Sequence, residues 1–363
     1  MTNQIPITDR QAIDQLRSEL RLEPGRLRRL RIALFKKSLG VDRALAELPT
    51  EVRQQFAERV DFHPLQLHKR CDSQLDGASK LIFRTRAGML IESVVLRAAT
   101  GRVALCVSSQ VGCAAACDFC ATGKMGMAHN LSTAEIVDQY VQANEQLRSE
   151  SPETGGRSVR NLVFMGMGEP FHNEAALHEA LTSLTDPAVV DHPPSRILVS
   201  TVGVTEGMTR LAAAFPRVNL ALSLHSVRQE TRESIIPLAK RYSLDLLQAT
   251  LRQIGESTGR QVMIEYLMLA EKNDSLEEAA ELVAWLRGTN AHVNLIPYNP
   301  VDDAPHLTSS DKPTREAFAR VLKEAGVPTT IRYSMGADIE AACGQLVRRE
   351  NRAVARAAAM AKT

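Results

Sequence analysis

From residue 103 onward, short apolar runs alternate with longer stretches whose apolar residues recur three and four positions apart. The apolar runs predict strands at 103–107, 161–165, 196–200, 218–223, 262–267, 292–296 and 329–333. The periodic stretches predict helices at 132–147, 174–184, 207–214, 244–254, 275–286 and 315–325. Two of these open on capping-box signatures, Ser132-x-x-Glu135 and Asp274-x-x-Glu277, whose side chains satisfy orphan amides of the first turn. Strands alternating with helices at this spacing imply parallel strands joined by helical crossovers. The fold expectation is therefore α/β, a partial (β/α)6 TIM-like barrel with its active site at the C-terminal ends of the strands.

Residues 1–98 have a different pattern. Helical spacing occurs at 13–22, 27–35 and 52–60, with Pro24-Gly25 between the first two, and strands are predicted at 80–86 and 89–96 around an Ala87-Gly88 turn. This divides the chain into a small, mainly helical accessory domain at 1–98, a barrel at 99–337 and a C-terminal segment at 338–363. The polar stretch 151–158 reads as a surface loop inserted in the barrel.

Composition adds constraints on class. Hydrophobic content of 44% and charged content of 24% over 363 residues are those of a globular chain with a large core. No apolar run approaches the length of a membrane span, and the start lacks the charged and apolar regions of a secretory signal. The expectation is a cytoplasmic protein, without a membrane partner and monomeric. The net charge of +2 conceals local excess. Arg26, Arg28, Arg29, Arg31, Lys36 and Lys37 occur without an intervening acid, and the tail sets Arg348, Arg349, Arg352, Arg356 and Lys362 against Glu350. Such segments can lie along phosphates or can be solvated faces.

The chemistry concentrates between residues 106 and 120. Four of the six cysteines fall there, and Cys113, Cys117 and Cys120 are spaced C-x3-C-x2-C. Three thiolates on one loop can hold three irons of a cubane cluster and leave the fourth open to a small molecule. A structural zinc knuckle is the alternative, although zinc sites usually draw a second Cys pair from another loop and none occurs here. Gly166-Met-Gly168-Glu169-Pro170 follows the second predicted strand; glycines admit close backbone approach and the carboxylate can take an ammonium. Ser200, Ser223, His225 and Asn299 stand at predicted strand ends or just beyond. Ala121-Thr-Gly123-Lys124-Met125 is no phosphate loop, because Met125 stands where Ser or Thr is needed. Neither an HExxH pair nor a G-x-S-x-G elbow is present.

Taken together, C-V-S-S-Q-x-G-C-x3-C-x2-C-A-T-G from Cys106, then G-M-G-E-P, S-T-x-G-V, S-L-H, L-I-P-Y-N-P and A-A-C-G-Q-L at 341–346, resemble the RlmN/Cfr family. These are radical S-adenosylmethionine (SAM) enzymes that methylate an adenosine of ribosomal RNA. The resemblance runs from about Glu92 to Leu346; the N-terminal part is similar in placement and basic character but departs at Arg26-Leu-Arg-Arg-Leu-Arg31. It implies a radical SAM barrel in which Cys113, Cys117 and Cys120 hold a [4Fe-4S] cluster with SAM on its open iron. Gly168 and Glu169 would meet the methionine amine, and Ser200, Ser223, Leu224, His225 and Asn299 would line the rest of the cofactor pocket. Cys343 would carry the methyl group, Cys106 would resolve it through a transient disulfide, and Glu92 would be the base.

The same resemblance implies two SAM molecules per turnover and methylation of carbon 2 or carbon 8 in 23S ribosomal RNA. Transfer RNA is a second permitted substrate, and flavodoxin or ferredoxin would donate electrons. With only 4% aromatic residues the chain is poor in stacking surfaces, so phosphate contacts from the basic segments are expected to supply RNA affinity. Two other readings remain: a radical SAM enzyme acting on something other than RNA, and a non-catalytic zinc-binding RNA adaptor.

Overall fold

A computed structural model describes residues 4–150, 157–346 and 351. Most of the polar insertion, at 151–156, lies outside them, as does the basic tail with Arg348, Arg349, Glu350, Arg352, Arg356 and Lys362.

Ten strands form one sheet: β1 (Gln66–Asp72), β2 (Ala78–Arg84), β3 (Leu90–Arg97), β4 (Val103–Cys106), β5 (Asn161–Phe164), β6 (Ile197–Thr201), β7 (Asn219–Ser223), β8 (Val262–Met268), β9 (Ala291–Pro297) and β10 (Thr329–Ile331). Their spatial order is their chain order. From β4 to β10 every pairing is parallel, whereas β1 to β4 pair antiparallel. A parallel strand always added on the same side, by right-handed crossovers, leaves every crossover helix on one face. The sheet curls away from those helices into an open barrel, and its other face lines the interior.

All seven predicted barrel strands are present. The sheet nevertheless extends beyond 98 toward the N-terminus, because β3 pairs with β4 from Val94↔Cys106 to Arg97↔Val103. The missing member of the prediction was β1, whose Gln-Leu-His-Lys-Arg-Cys-Asp sequence has little apolar alternation. That composition suits an edge strand, where charged side chains discourage further pairing.

Near the N-terminus lie α1 (Arg10–Glu19), α2 (Pro24–Arg31), α3 (Val41–Leu45) and α4 (Thr50–Arg59). Pro24 sits in the first turn of α2, where its missing N–H costs nothing. α2 continues into a wider turn over Ile32–Lys36 that ends with Lys37 N donating to Ile32 O at 2.9 Å. The barrel region contributes α5 (Ala121–Met125), α6 (Thr133–Ser149), α7 (Glu174–Thr185), α8 (Thr205–Ala214), α9 (Gln229–Ile235), α10 (Leu244–Thr258), α11 (Leu276–Trp285) and α12 (Lys312–Glu324). The Ser132–Glu135 capping box forms as predicted. The second does not: Ser275 caps α11 by accepting from Glu278 N, while Asp274 accepts from Glu271 N at 3.0 Å and from Ser310 Oγ at 2.6 Å.

The N-terminal helices share the barrel's hydrophobic core, in which Leu16, Leu30, Leu34 and Phe56 are fully buried. Polar ties reinforce the junction. Asp138 on α6, itself buried, accepts from His63 Nδ1 at 2.8 Å, Leu65 N at 3.0 Å and Gln142 Nε2 at 2.8 Å. The basic run is partly consumed by such ties: Lys36 pairs with Asp191 at 2.6 Å, Arg29 with Glu47 at 3.4 Å, and buried Arg31 with Asp14 at 3.5 Å. Arg28 and Lys37 remain exposed. No helix among the described residues is long and apolar enough to cross a membrane.

Candidate active site

The loop after β4 is set by a small hairpin, Gln110–Gly112 against Met127–Asn130, which clamps the cysteine stretch at its base. Gly112 has φ 78°, and a Cβ there would lie 1.7 Å from Gly126 O, so the two chains can meet only without a side chain. Cys113 N then donates to Gly126 O at 3.0 Å, and the three cysteines follow in a tight turn ending at α5. Asp118, between the second and third cysteines, is held by Lys124 and, at 2.7 Å, by His306 Nε2.

Cys113, Cys117 and Cys120 open into a cavity of about 280 Å³ at the barrel mouth. Cys106, Gly168, Glu169, Ser200, Ser223, His225 and Cys343 line the same cavity. Leu224, Asn299 and Glu92 are placed otherwise. Leu224 is fully buried, and its carbonyl accepts from Arg232 Nε at 3.2 Å. Asn299 Nδ2 donates to the carbonyl of Cys343 at 3.1 Å. Glu92, wholly buried on β3, shares its strand face with Val94 and Leu96, which do line the cavity.

Backbone donors and buried charges arrange the wall. Gly168 has φ 107°, and a Cβ on it would fall 2.7 Å from Gln110 Cβ. This close passage presents Glu169, whose amide donates to Gln110 Oε1 at 2.9 Å. The Glu169 carboxylate accepts from Phe171 N at 3.1 Å and Val202 N at 2.9 Å; burial still pushes it up to about 7. His225, at φ 61°, accepts at Nδ1 from Leu267 N at 3.0 Å. Burial, then the Arg232 charge, lower it to about 3, so the ring is neutral with its proton on Nε2.

Three side chains of the site were not anticipated. Glu265 gathers the two serines, accepting from Ser200 Oγ at 2.6 Å and Ser223 Oγ at 2.9 Å. It was legible as a lone charge within the apolar strand Val-Met-Ile-Glu-Tyr-Leu-Met. Arg232, fully buried on α9, donates to Leu224 O at 3.2 Å and Val202 O at 2.5 Å, tying together the loops after β6 and β7. Its helix reads Gln-Glu-Thr-Arg-Glu-Ser-Ile, too polar for periodicity to reveal. Arg332 follows β10 and lines the cavity; the charge of Cys343 raises it most, burial opposes this, and Glu265 and Cys106 add to the rise.

The segment carrying Cys343 closes the cavity from the C-terminal side. Ala121 N donates to Gly344 O at 2.8 Å and Thr122 Oγ1 donates to Leu346 O. Farther along, Asp76 accepts from Gly336 N at 2.8 Å and Asp338 accepts from Ser73 Oγ at 2.7 Å. Buried Asn351 bonds both backbone groups of Leu90, at 2.6 and 2.7 Å. The segment is thereby stitched to β1–β3 as well as to the cysteine loop. All six cysteines are free thiols, Cys106 and Cys343 included.

Relatives decide the family. The chain is 54% identical over 340 residues to a probable RNA methyltransferase of Rhodopirellula baltica, covering 94% of this chain and 87% of that protein. A probable dual-specificity RNA methyltransferase RlmN of Thermosipho melanesiensis is 39% identical, covering 88% and 91%. The crystal structure of a radical SAM methyltransferase from Sphaerobacter thermophilus superposes with a TM-score of 0.87 at 36% identity, over 94% of this chain and 99% of that one. The chain belongs to the RlmN family of radical SAM RNA methyltransferases. No family model matches it.

Family membership gives the donor set a chemical test. Among the described residues, no three His, Cys, Asp or Glu side chains are placed to hold a single metal ion. A mononuclear zinc site needs its sulfurs gathered around one point, whereas a cluster places each on a different iron. Burial pushes Cys113 up to about 12 and holds Cys117 well above the ordinary thiol range, with Cys120 and Cys113 adding to the latter. Buried thiols of this kind become thiolates only when a bound cation offsets their charge. The three sulfur donors, with a cavity beside them, fit an iron–sulfur cluster with one iron open to a ligand.

Proposed function

We propose that this enzyme methylates an adenosine of 23S ribosomal RNA, at carbon 2 or carbon 8, with Cys343 carrying the methyl group. One observation bears most of the weight. Cys106 and Cys343, 237 positions apart in sequence, line one cavity together with the three loop cysteines. A structural thiol needs no such company.

Cys113, Cys117 and Cys120 would hold a [4Fe-4S] cluster, and SAM would bind between it, Glu169 and the Ser200–Ser223–Glu265 group. When bound, the cluster supplies the electron that cleaves SAM to a deoxyadenosyl radical and recovers one electron from the RNA adduct. The remaining work falls to the protein. The ring carbons of adenine are too weakly nucleophilic to take a methyl group from a sulfonium, but the Cys343 thiolate can. Cys343 would take its methyl group from a first SAM, whose sulfur would leave as a thioether; a second SAM would supply the radical that takes a hydrogen atom from the S-methyl group, freeing that carbon to bond the adenine ring. Glu92 then takes the proton from the ring carbon, and the C–H electron pair restores aromaticity. The Cys106 thiolate attacks the Cys343 sulfur: an S–S bond forms, the S–CH2 bond breaks with its pair going to carbon, and that carbon takes up a proton to become the methyl group. An external reductant reopens the disulfide.

The target base must leave its stack to enter a cavity of this depth. Exposed Arg28 and Lys37, with the basic tail, would hold phosphates. Transfer RNA is a second substrate in this reading, flavodoxin or ferredoxin the electron donor, and the enzyme a cytoplasmic monomer. Anaerobic protein should be brown with about four irons per chain; a colourless zinc protein would refute the cluster. Cys343→Ala should abolish RNA methylation while SAM cleavage survives, and persistence of methylation would refute the carrier. Mass spectrometry of ribosomal RNA with and without the enzyme assigns carbon 2 or carbon 8.

A further inference from the structure

Outside the residues the family motifs single out, one buried cation touches two of the working parts. Lys80 lies on β2 and is 5% exposed. Its Nζ is 3.6 Å from Glu92 Oε1, and it donates at 3.2 Å to the carbonyl of Glu340. The register explains the first contact. Lys80 is opposite Val94, and Glu92 is opposite Ile82, so the two are diagonal neighbours on one face of the sheet. The second contact falls three residues before Cys343, at the start of the stretch whose Ala341, Ala342, Cys343 and Gly344 all line the cavity. Burying an ammonium this deeply is costly unless it is paired and hydrogen-bonded. A hydrophobic residue would fill the site at less cost if packing were its only role.

We propose that Lys80 is a positioning residue for adduct release: its ammonium pairs with the Glu92 carboxylate and its bond to Glu340 holds the Cys343 segment over the base. The proposal rests on the role given to Glu92 above. The step concerned is a proton transfer. The C–H bond at the adenine ring carbon of the adduct breaks, its electron pair returns to the ring, and the proton comes to rest on a Glu92 oxygen. Lys80 then faces a neutral acid, yet its bond to the Glu340 carbonyl is unaffected by that change. The carrier segment therefore stays docked while Cys106 attacks.

A hydrogen bond from a charged group is worth about tenfold or more in the step that depends on it, which sets the size of the expected effect. The test uses the cluster-loaded full chain, SAM, a reductant and unmodified 23S ribosomal RNA in single turnover. Cys343 methylation is read by mass spectrometry, the covalent RNA–protein adduct on a denaturing gel, and methylated RNA by release from it. Lys80→Met should methylate Cys343 and form adduct at near wild-type rates, then release it tenfold or more slowly, and Lys80→Arg should restore most of the release rate. Wild-type release in Lys80→Met, or equal loss of all three readouts, overturns the proposal. If Lys80→Met does not fold, Lys80→Gln keeps a donor to Glu340 without the charge: a stalled adduct supports the proposal and normal release overturns it. Glu92→Gln separates the two levels. If it releases adduct normally, the base assignment itself is wrong; if it stalls while Lys80→Met does not, only the role of Lys80 fails.

Discussion

The resting state of Cys106 makes a quantitative prediction. Its thiol is buried at the end of β4, and burial, then the nearby Cys343, push it up to about 12 against the partial relief of Arg332. An ordinary cysteine titrates near 8.5, so at pH 8 roughly a quarter of it is thiolate. A thiol near 12 has about one part in ten thousand, a deficit of over three orders of magnitude. Only the thiolate reacts with an alkylating reagent, so the pH profile reports this number. Access through the cavity changes the amplitude of labelling but not the shape of the profile. Iodoacetamide labelling of the anaerobic protein, followed at the Cys106 peptide by mass spectrometry, should rise about tenfold per pH unit from 7 to 10 without levelling. A plateau near pH 8.5 to 9 would refute the argument. The same protonation would keep Cys106 from oxidising with Cys343 before a substrate arrives, as the proposed resolving role requires.

Further predictions concern the pocket and the junction. Gly168→Ala must accommodate a Cβ 2.7 Å from Gln110 Cβ at φ 107°, a strain of about 1–3 kcal/mol; SAM affinity should fall about tenfold, and a change under twofold would refute close packing there. Glu265→Gln retains the shape but weakens the bonds from Ser200 and Ser223, a loss of about 1.5 kcal/mol, so equilibrium binding of SAM should again weaken about tenfold with the unfolding midpoint little changed. Asp138→Ala leaves Leu65 N–H without its buried acceptor and removes one of the two acceptors of the Gln142 amide, which keeps Leu65 O, and should cost about 1–3 kcal/mol in urea unfolding. At the same junction, burial alone would lower His63, but the hydrogen bond and charge of Asp138, with Glu145, raise it above 6.5. Its contribution is therefore complete below 6.5 and lost as pH rises through the higher folded value. The stability gap between wild type and His63→Gln should shrink between pH 6 and 8, and a constant gap would refute the linkage.

The sequence by itself determined the barrel and the identity of the chemistry. Apolar runs recur often enough that most of the parallel strands declare themselves, because a strand largely covered on both faces is largely apolar. The C-x3-C-x2-C spacing is equally local: three thiols within eight residues, Cys113 to Cys120, are neighbours whatever the rest of the chain does. What is polar and solitary stayed hidden. Edge strand β1, helix α9 and the residues Arg232, Glu265 and Arg332 leave little periodic trace, since each is fixed by partners far away in sequence.

Cys106 marks the division most clearly. Its motif was visible, but spacing could not separate it from the three cysteines that follow. Only the tertiary structure, by folding residues 336–346 back across the barrel mouth and stitching them to β1–β3, sets Cys343 in the same cavity. The same closure brings the Glu340 carbonyl onto Lys80, which the β2–β3 register already sets beside Glu92. Hydrophobic pattern acts over a few residues, which is why it can be read along the chain. Contacts between side chains more than two hundred positions apart depend on loop closure and packing, and those are properties of the whole fold.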